Sequence, residues 1–193
     1  MKKILLTAIV FITSFAAMAQ KEVGTIQVQP KVGITIANLT DLDGNDSKIG
    51  MIAGAEFSYT ILPVIDIEAG LLYSMQGAKW SAEVGDCKMK LEYINVPLMA
   101  SAQLYKGLRI RTGVQFGFLT KSSGDYDLDN DVDLKDNTKK VDISIPLGLS
   151  YEYQSFVLDA RYNLGLNRTY DSEFGLKSKN SVFNITLGYK FNI

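Results

Sequence analysis

The residues that could do chemistry in this chain are mostly charged, and they recur in one phase of otherwise apolar segments. Lys31, Lys88, Lys90, Arg109, Arg111, Arg161 and Lys190 stand against Glu56, Asp66, Glu68, Glu92, Asp142, Glu152 and Asp159, seven of each sign. Such a balance on one face suits mutual neutralisation, because an unpaired charge taken out of water is costly. Arg109, Arg111 and Arg161 amid Glu56, Glu68 and Asp159 are the candidate core of an ion-pair network.

A second candidate is the acidic stretch 125–136, DYDLDNDVDLKD. It places Asp125, Asp127, Asp129, Asp133 and Asp136 at the oxygen-ligand positions of an EF-hand-type calcium loop, with Val132 at the apolar position. It departs from that pattern where Asn130 replaces the turn glycine and Asp136 the longer bidentate glutamate. The same residues also read as a hairpin, with Tyr126 and Leu128 mirroring Val132 and Leu134 about Asn130-Asp131. Beyond calcium at this loop, no cofactor is expected.

The chain has no histidine, which removes the usual general base of Ser-His, Cys-His and Asp-His arrangements. Cys87 is the sole cysteine, so no intrachain disulfide can form, and no histidine is present to activate its thiol. No glycine-rich phosphate cradle occurs, and carboxylate pairs such as Asp66 and Glu68 share their phase with arginines. The expectation is a protein that is not an enzyme.

Residues 1–19 read as an export signal: Lys2 and Lys3, an apolar run from Ile4 to Phe15, then Ala17-Met18-Ala19 before Gln20. The run is shorter than the ~20 apolar residues of a spanning helix. Without the leader, 18 basic residues face 21 acidic ones, a net charge of −3 that argues against nucleic acid as a partner. Residues 20–193 then form one domain.

The elements that must position these charges follow a period of two rather than 3.6. In 25–37, Ile26, Val28, Pro30, Val32, Ile34 and Ile36 alternate with Gln27, Gln29, Lys31, Gly33 and Thr35; seven further segments alternate in the same way. In 88–104 the apolar phase changes, from Met89, Leu91 and Tyr93 to Ile94, Val96 and Leu98, which predicts a β-bulge near residues 93–95. Connections run short (61–65, 105–107, 153–155) and long (38–48, 77–87, 120–140, 167–180). This is the pattern of an all-β, eight-stranded antiparallel up-and-down transmembrane β-barrel.

Two orientations fit one alternation: apolar face to lipid, or apolar face inside, as in a soluble lipocalin-like carrier of an apolar ligand. Glycines crowd the polar face, where they relieve packing inside a narrow barrel but would only weaken an outer surface. The apolar face ends at one rim in Tyr59, Tyr151, Phe156, Tyr189 and Phe191, the composition of an interfacial aromatic girdle. Both features favour apolar residues outward. The girdled rim, with the short turns and both chain ends, is then expected to be periplasmic. An interior of about eight strands is filled by side chains, so the charges close it. The alternative is a small-solute pore.

Residues 91–104 (LEYINVPLMASAQL), 109–120 (RIRTGVQFGFLT), 158–169 (LDARYNLGLNRT) and 180–191 (NSVFNITLGYKF) together resemble the PorT-like outer-membrane β-barrel family of Bacteroidota. The resemblance implies a cell outer membrane protein, surrounded by outer-membrane lipid and folded by the barrel-assembly machinery. A surface partner is expected at the longer connections, where such proteins bind; the family's name-giving member is linked to protein secretion by the type IX system, so the resemblance implies, as the alternative, a secretion partner and an accessory role in type IX-like secretion. Asn192 and Ile193 follow Phe191 where the family closes on an aromatic residue.

Overall fold

The computed structural model describes residues 21–40, 45–82, 85–126, 130–133, 140–171 and 177–193; within these, the side chains of 39–40, 45–46, 78–82, 85–89, 124–126, 130–133, 168–171 and 177–178 are not described. The expected export signal therefore lies outside the described residues. Every regular element among them is a strand: β1 (Ile26–Thr40), β2 (Asn45–Leu62), β3 (Ile65–Ala82), β4 (Gly85–Tyr105), β5 (Leu108–Tyr126), β6 (Asn130–Asp133), β7 (Val141–Tyr153), β8 (Phe156–Asp171), β9 (Lys177–Tyr189) and β10 (Phe191–Asn192). Eight long strands pair antiparallel in chain order, and β1 pairs with β9 to close the barrel. β10 continues past Lys190 along the start of β1, with Val28 opposite Phe191.

The strands outrun their apolar stretches. The residues between β1 and β2 are only 41–44, and those between β3 and β4 only 83–84, where the sequence suggested connections of 38–48 and 77–87. Polar residues continue the pairing because an antiparallel ladder needs backbone groups, not apolar side chains. The short connections tighten likewise, to two-residue turns at Pro63-Val64, Lys106-Gly107 and Gln154-Ser155. Gly107 and Gln154 have positive φ, 79° and 58°, as tight hairpin turns demand.

Orientation follows from exposure. Phe57, Leu71 and Leu187 are 52%, 60% and 53% exposed, whereas Lys31, Glu56, Arg109, Arg111, Asp159 and Arg161 are buried inside. Apolar side chains thus form the outer surface, and the polar face lines the lumen. In a soluble barrel this assignment would be reversed.

The lumen-facing glycines matter because backbones approach there. A Cβ on Gly33 would lie 2.0 Å from the Ile185 carbonyl oxygen, and one on Gly113 would lie 2.1 Å from that of Leu98. At these positions the crowding partner is the neighbouring strand itself.

The bulge expected in β4 lies in β5 instead. Leu91 and Tyr93 stay in phase with Asn95 and are fully buried in the lumen, while Ile94 and Leu98 face out. The register with β5 slips between Glu92–Lys121 and Tyr93–Leu119, leaving Thr120 as the extra residue. The switch in β4 is therefore from lumen-filling to lipid-facing apolar residues, without a change of phase. As a consequence Glu92 and Lys90, expected in the lumen, alternate outward and are half-exposed.

Three prolines inside strands are accommodated by local lapses of the ladder. The β1–β9 pairing stops at Lys31–Gly188 and resumes with β10 at Val28–Phe191, skipping Pro30. Pairing of β3 with β4 jumps from Ala69–Leu98 to Leu72–Asn95 past Pro97, and that of β5 with β7 jumps from Thr112–Leu147 to Gln115–Ser144 past Pro146. Each lapse keeps its register, and each falls where proline has no N–H to donate.

Candidate functional site

Alternation on β1, β2, β3, β5 and β8 sends six charged side chains to one level of the lumen. Arg111 is the hub: its Nε donates to Glu68 Oε2 at 2.8 Å, and its terminal nitrogens reach Glu56 Oε2 at 2.5 Å, Glu68 and Asp159. Arg161 donates to Glu56 Oε1 at 2.9 Å and lies 3.4 Å from Asp159. Lys31 Nζ donates to Glu56 Oε2 at 2.7 Å and lies 3.9 Å from Asp159. Three cations and three carboxylates thus neutralise one another, and charge-assisted hydrogen bonds join them across the barrel.

Five of the six residues read from sequence as the network core, Glu56, Glu68, Arg111, Asp159 and Arg161, meet here; Arg109 does not. It lies nearer the turn rim, where it pairs with Asp66 at 2.8 Å and donates to Ser101 Oγ at 3.0 Å. Asp66 also accepts from Thr60 Oγ1 at 2.9 Å and pairs with Lys21 at 3.1 Å. Burial and the nearby Lys190 ammonium push Lys21, which precedes β1, below the usual lysine range against the pull of Asp66 and Glu152. Lys190 and Glu152 form a further pair at 2.6 Å. Sequence reasoning left Lys31 out of the core although it shares the lumen phase; what it lacked was the height at which each strand crosses the barrel.

Beyond the charged layer, toward the longer connections, the lumen is lined by Leu72, Leu91 and Tyr93 together with Ser74, Gln76, Asn95 and Asn163, all buried. Asn95 Nδ2 and Gln76 Nε2 both donate to Ser74 Oγ, at 2.7 and 2.8 Å. The interior is thus occupied by side chains on both sides of the ion-pair layer.

The five girdle residues all point outward at the turn rim. Phe156 and Tyr189 stack edge-on with centroids 5.2 Å apart, and Tyr189 and Phe191 lie 4.7 Å apart; Tyr59 and Tyr151 are exposed on the same rim. Tyr105 and Tyr153, which the sequence reading did not include, are exposed beside the turns.

Of the calcium-loop positions, Asp127, Asp129 and Asp136 lie outside the described residues, and Asp125 and Asp133 are described in their backbones only. Those backbones form a hairpin: β6 pairs with β5 through Tyr126–Asn130, Asp125–Asp131 and Gly124–Val132. Asn130 and Asp131 accordingly sit in a strand, not in the turn about which the sequence reading centred them.

The family described as outer membrane protein beta-barrel domain matches residues 18–171. No curated protein matches the chain. Among solved structures, it is similar to Ail, the attachment invasion locus protein of Yersinia pestis, in complex with the heparin analogue sucrose octasulfate. Identity there is 14%, coverage 88% of this chain and 100% of that one, and the TM-score 0.52. Neisserial surface protein A is 14% identical over 86% of this chain and 97% of its own, with a TM-score of 0.48. The N-terminal β-barrel domain of Pseudomonas aeruginosa OprF is 14% identical over 89% and 100%, with a TM-score of 0.42. The likeness to Ail is one of fold.

Proposed function

Since the chain belongs to the outer membrane protein β-barrel domain family, we propose that it is a non-enzymatic outer-membrane protein that acts at the cell surface through its longer connections or as a structural component of that surface. The observation that carries this reading is the Arg111 cluster. Six buried charges from five strands neutralise one another in the middle of a barrel narrow enough for side chains to fill. Such a lumen favours a closed plug over a small-solute pore. Binding then falls to the connections, where barrels of this kind vary.

The turn rim, with its girdle and both chain ends, faces the periplasm in this reading, because short turns of such barrels are periplasmic. Residues 1–19 direct export, and the barrel-assembly machinery inserts the chain. The ordered set of motifs resembling the PorT-like family supports a second reading, an accessory role in type IX-like secretion.

Two experiments test the proposal. Purified protein in a planar bilayer gives no conductance steps if the lumen is plugged; steps in the wild-type protein overturn the closed reading. Removing residues 124–139 abolishes a surface interaction and leaves secretion normal if the connections bind. Cargo retained in the periplasm instead establishes the secretion role.

A further inference from the structure

One stretch of lumen wall, beside the Arg111 cluster and toward the longer connections, holds polar groups that the protein leaves unsatisfied. Thr35 on β1 stands opposite Asn184 on β9, and Asn184 stands opposite Arg161 on β8, so the three form one register row. They are 0%, 4% and 2% exposed, out of reach of bulk water. Thr35 Oγ1, Asn184 Oδ1 and Arg161 Nε nevertheless have no hydrogen-bond partner among the described residues. Buried polar atoms are paired in the large majority of cases, and three exceptions in adjoining positions call for a common cause.

Glycines flank the row at both ends. Gly50 on β2 stands opposite Thr35 and Gly148 on β7 stands opposite Arg161, so neither end position has a side chain to close over the row. The Thr35 methyl group lies 3.0 Å from where a Cβ on Gly50 would be, so the methyl rather than the hydroxyl covers that glycine. Asn163 Oδ1, two residues along β8 from Arg161, and Thr186 Oγ1, two residues along β9 from Asn184, are likewise buried and unpartnered. The chemistry of the row narrows what it can hold. Arg161 Nε–H only donates, the Asn184 amide oxygen only accepts, and the Thr35 hydroxyl does either. The charges of the cluster already cancel, and Arg161 donates to Glu56 Oε1 at 2.9 Å, so an ionic ligand would bring unbalanced charge into a buried layer. A neutral oxygen that carries a hydrogen satisfies all three atoms.

We propose that Thr35, Asn184 and Arg161 hold a neutral hydroxyl group inside the lumen, supplied by a buried water or by a small polyol that enters from the side of the longer connections. Its oxygen accepts from Arg161 Nε, its hydrogen goes to Asn184 Oδ1, and Thr35 Oγ1 is the third partner. About three such bonds are what a buried water makes. The site is independent of whether the lumen conducts and of whatever the longer connections bind.

The test combines urea unfolding of the full chain in lipid vesicles with a crystal structure grown without polyol. Thr35→Val and Asn184→Leu keep the side-chain shape and remove one partner each. Each therefore shifts the equilibrium about five-fold toward the unfolded chain, the net contribution of roughly one hydrogen bond. The double variant loses less than the product of the two single losses, because the ligand departs with its first partner. Heat-modifiable gel mobility verifies that each variant is a folded barrel. In the crystal, an isolated oxygen within hydrogen-bonding distance of all three atoms identifies water, and continuous density running from that oxygen after a glycerol soak identifies a polyol. If the Thr35 hydroxyl has no ligand, Thr35→Val only removes an unsatisfied buried group, so a variant as stable as the wild-type protein or more stable overturns the proposal. Losses that multiply in full overturn the shared ligand, as does a crystal structure with no density between the three side chains.

Discussion

Replacing Arg111 by methionine tests the hub of the lumen. The substitution keeps an unbranched, flexible stem but not the guanidinium, and so removes the contacts to Glu56, Glu68 and Asp159 together. What remains is Lys31 and Arg161 against three carboxylates, a net buried charge of −1 in a layer that was neutral. Arg111 is 2% exposed, so water cannot make up the loss without entering the lumen. Breaking a buried pair by removing one partner costs about 3–5 kcal/mol. Urea unfolding in lipid vesicles, followed through the single tryptophan and extrapolated linearly, should show a fall of that size. The informative control is Glu68→Gln, because Arg111 is the only charged group that pairs with Glu68 among the described residues. Adding Glu68→Gln to Arg111→Met restores neutrality, so the double variant should regain at least about 2 kcal/mol over Arg111→Met, a coupling within the range of contacting residues. The single variant should also admit ions, giving conductance steps in a planar bilayer that the double variant reduces. A loss below about 1 kcal/mol for Arg111→Met, or a double variant weaker than the single one, would refute the reasoning.

Gly113→Ala should lower the unfolding free energy by about 1–3 kcal/mol, the usual cost of forcing volume into a packed site, because its Cβ would meet the Leu98 carbonyl oxygen; the same urea titration measures it. At the turn between β7 and β8, Gln154→Val should destabilise by about 1–2 kcal/mol, since a β-branched residue is strained at φ 58°, whereas Gln154→Gly should not; equal midpoints for the two would contradict that strain. After a carbonate wash the protein should pellet with the outer-membrane fraction, and recovery in the soluble fraction would overturn its placement in lipid. Isothermal titration of the full chain with millimolar calcium should give no saturable heat. A heat that Asp129→Asn abolishes would instead assign metal to the 125–136 loop.

Much of the barrel is legible residue by residue. Lys31, flanked by Pro30 and Val32, already declares a two-faced strand, and Tyr189 and Phe191 around Lys190 place an aromatic rim at its end. The site was less legible. Arg109 and Arg111 share a strand and a phase, and nothing in their local sequence says that one meets Glu56 and the other Asp66. The apolar Leu91 and Tyr93 misled for a related reason: a lumen-filling side chain and a lipid-facing one belong to the same residue types, and only the neighbours across the ladder tell them apart.

The sequence by itself determined the strands, their two faces and the alternation of short and long connections, since successive side chains of any extended chain point to opposite sides whatever surrounds it. Tertiary structure decided which charges meet, where the bulge falls and how each proline loses its partner. Those depend on the stagger of each strand against the next. Stagger accumulates around the barrel until β1 closes on β9, and no single strand encodes that sum.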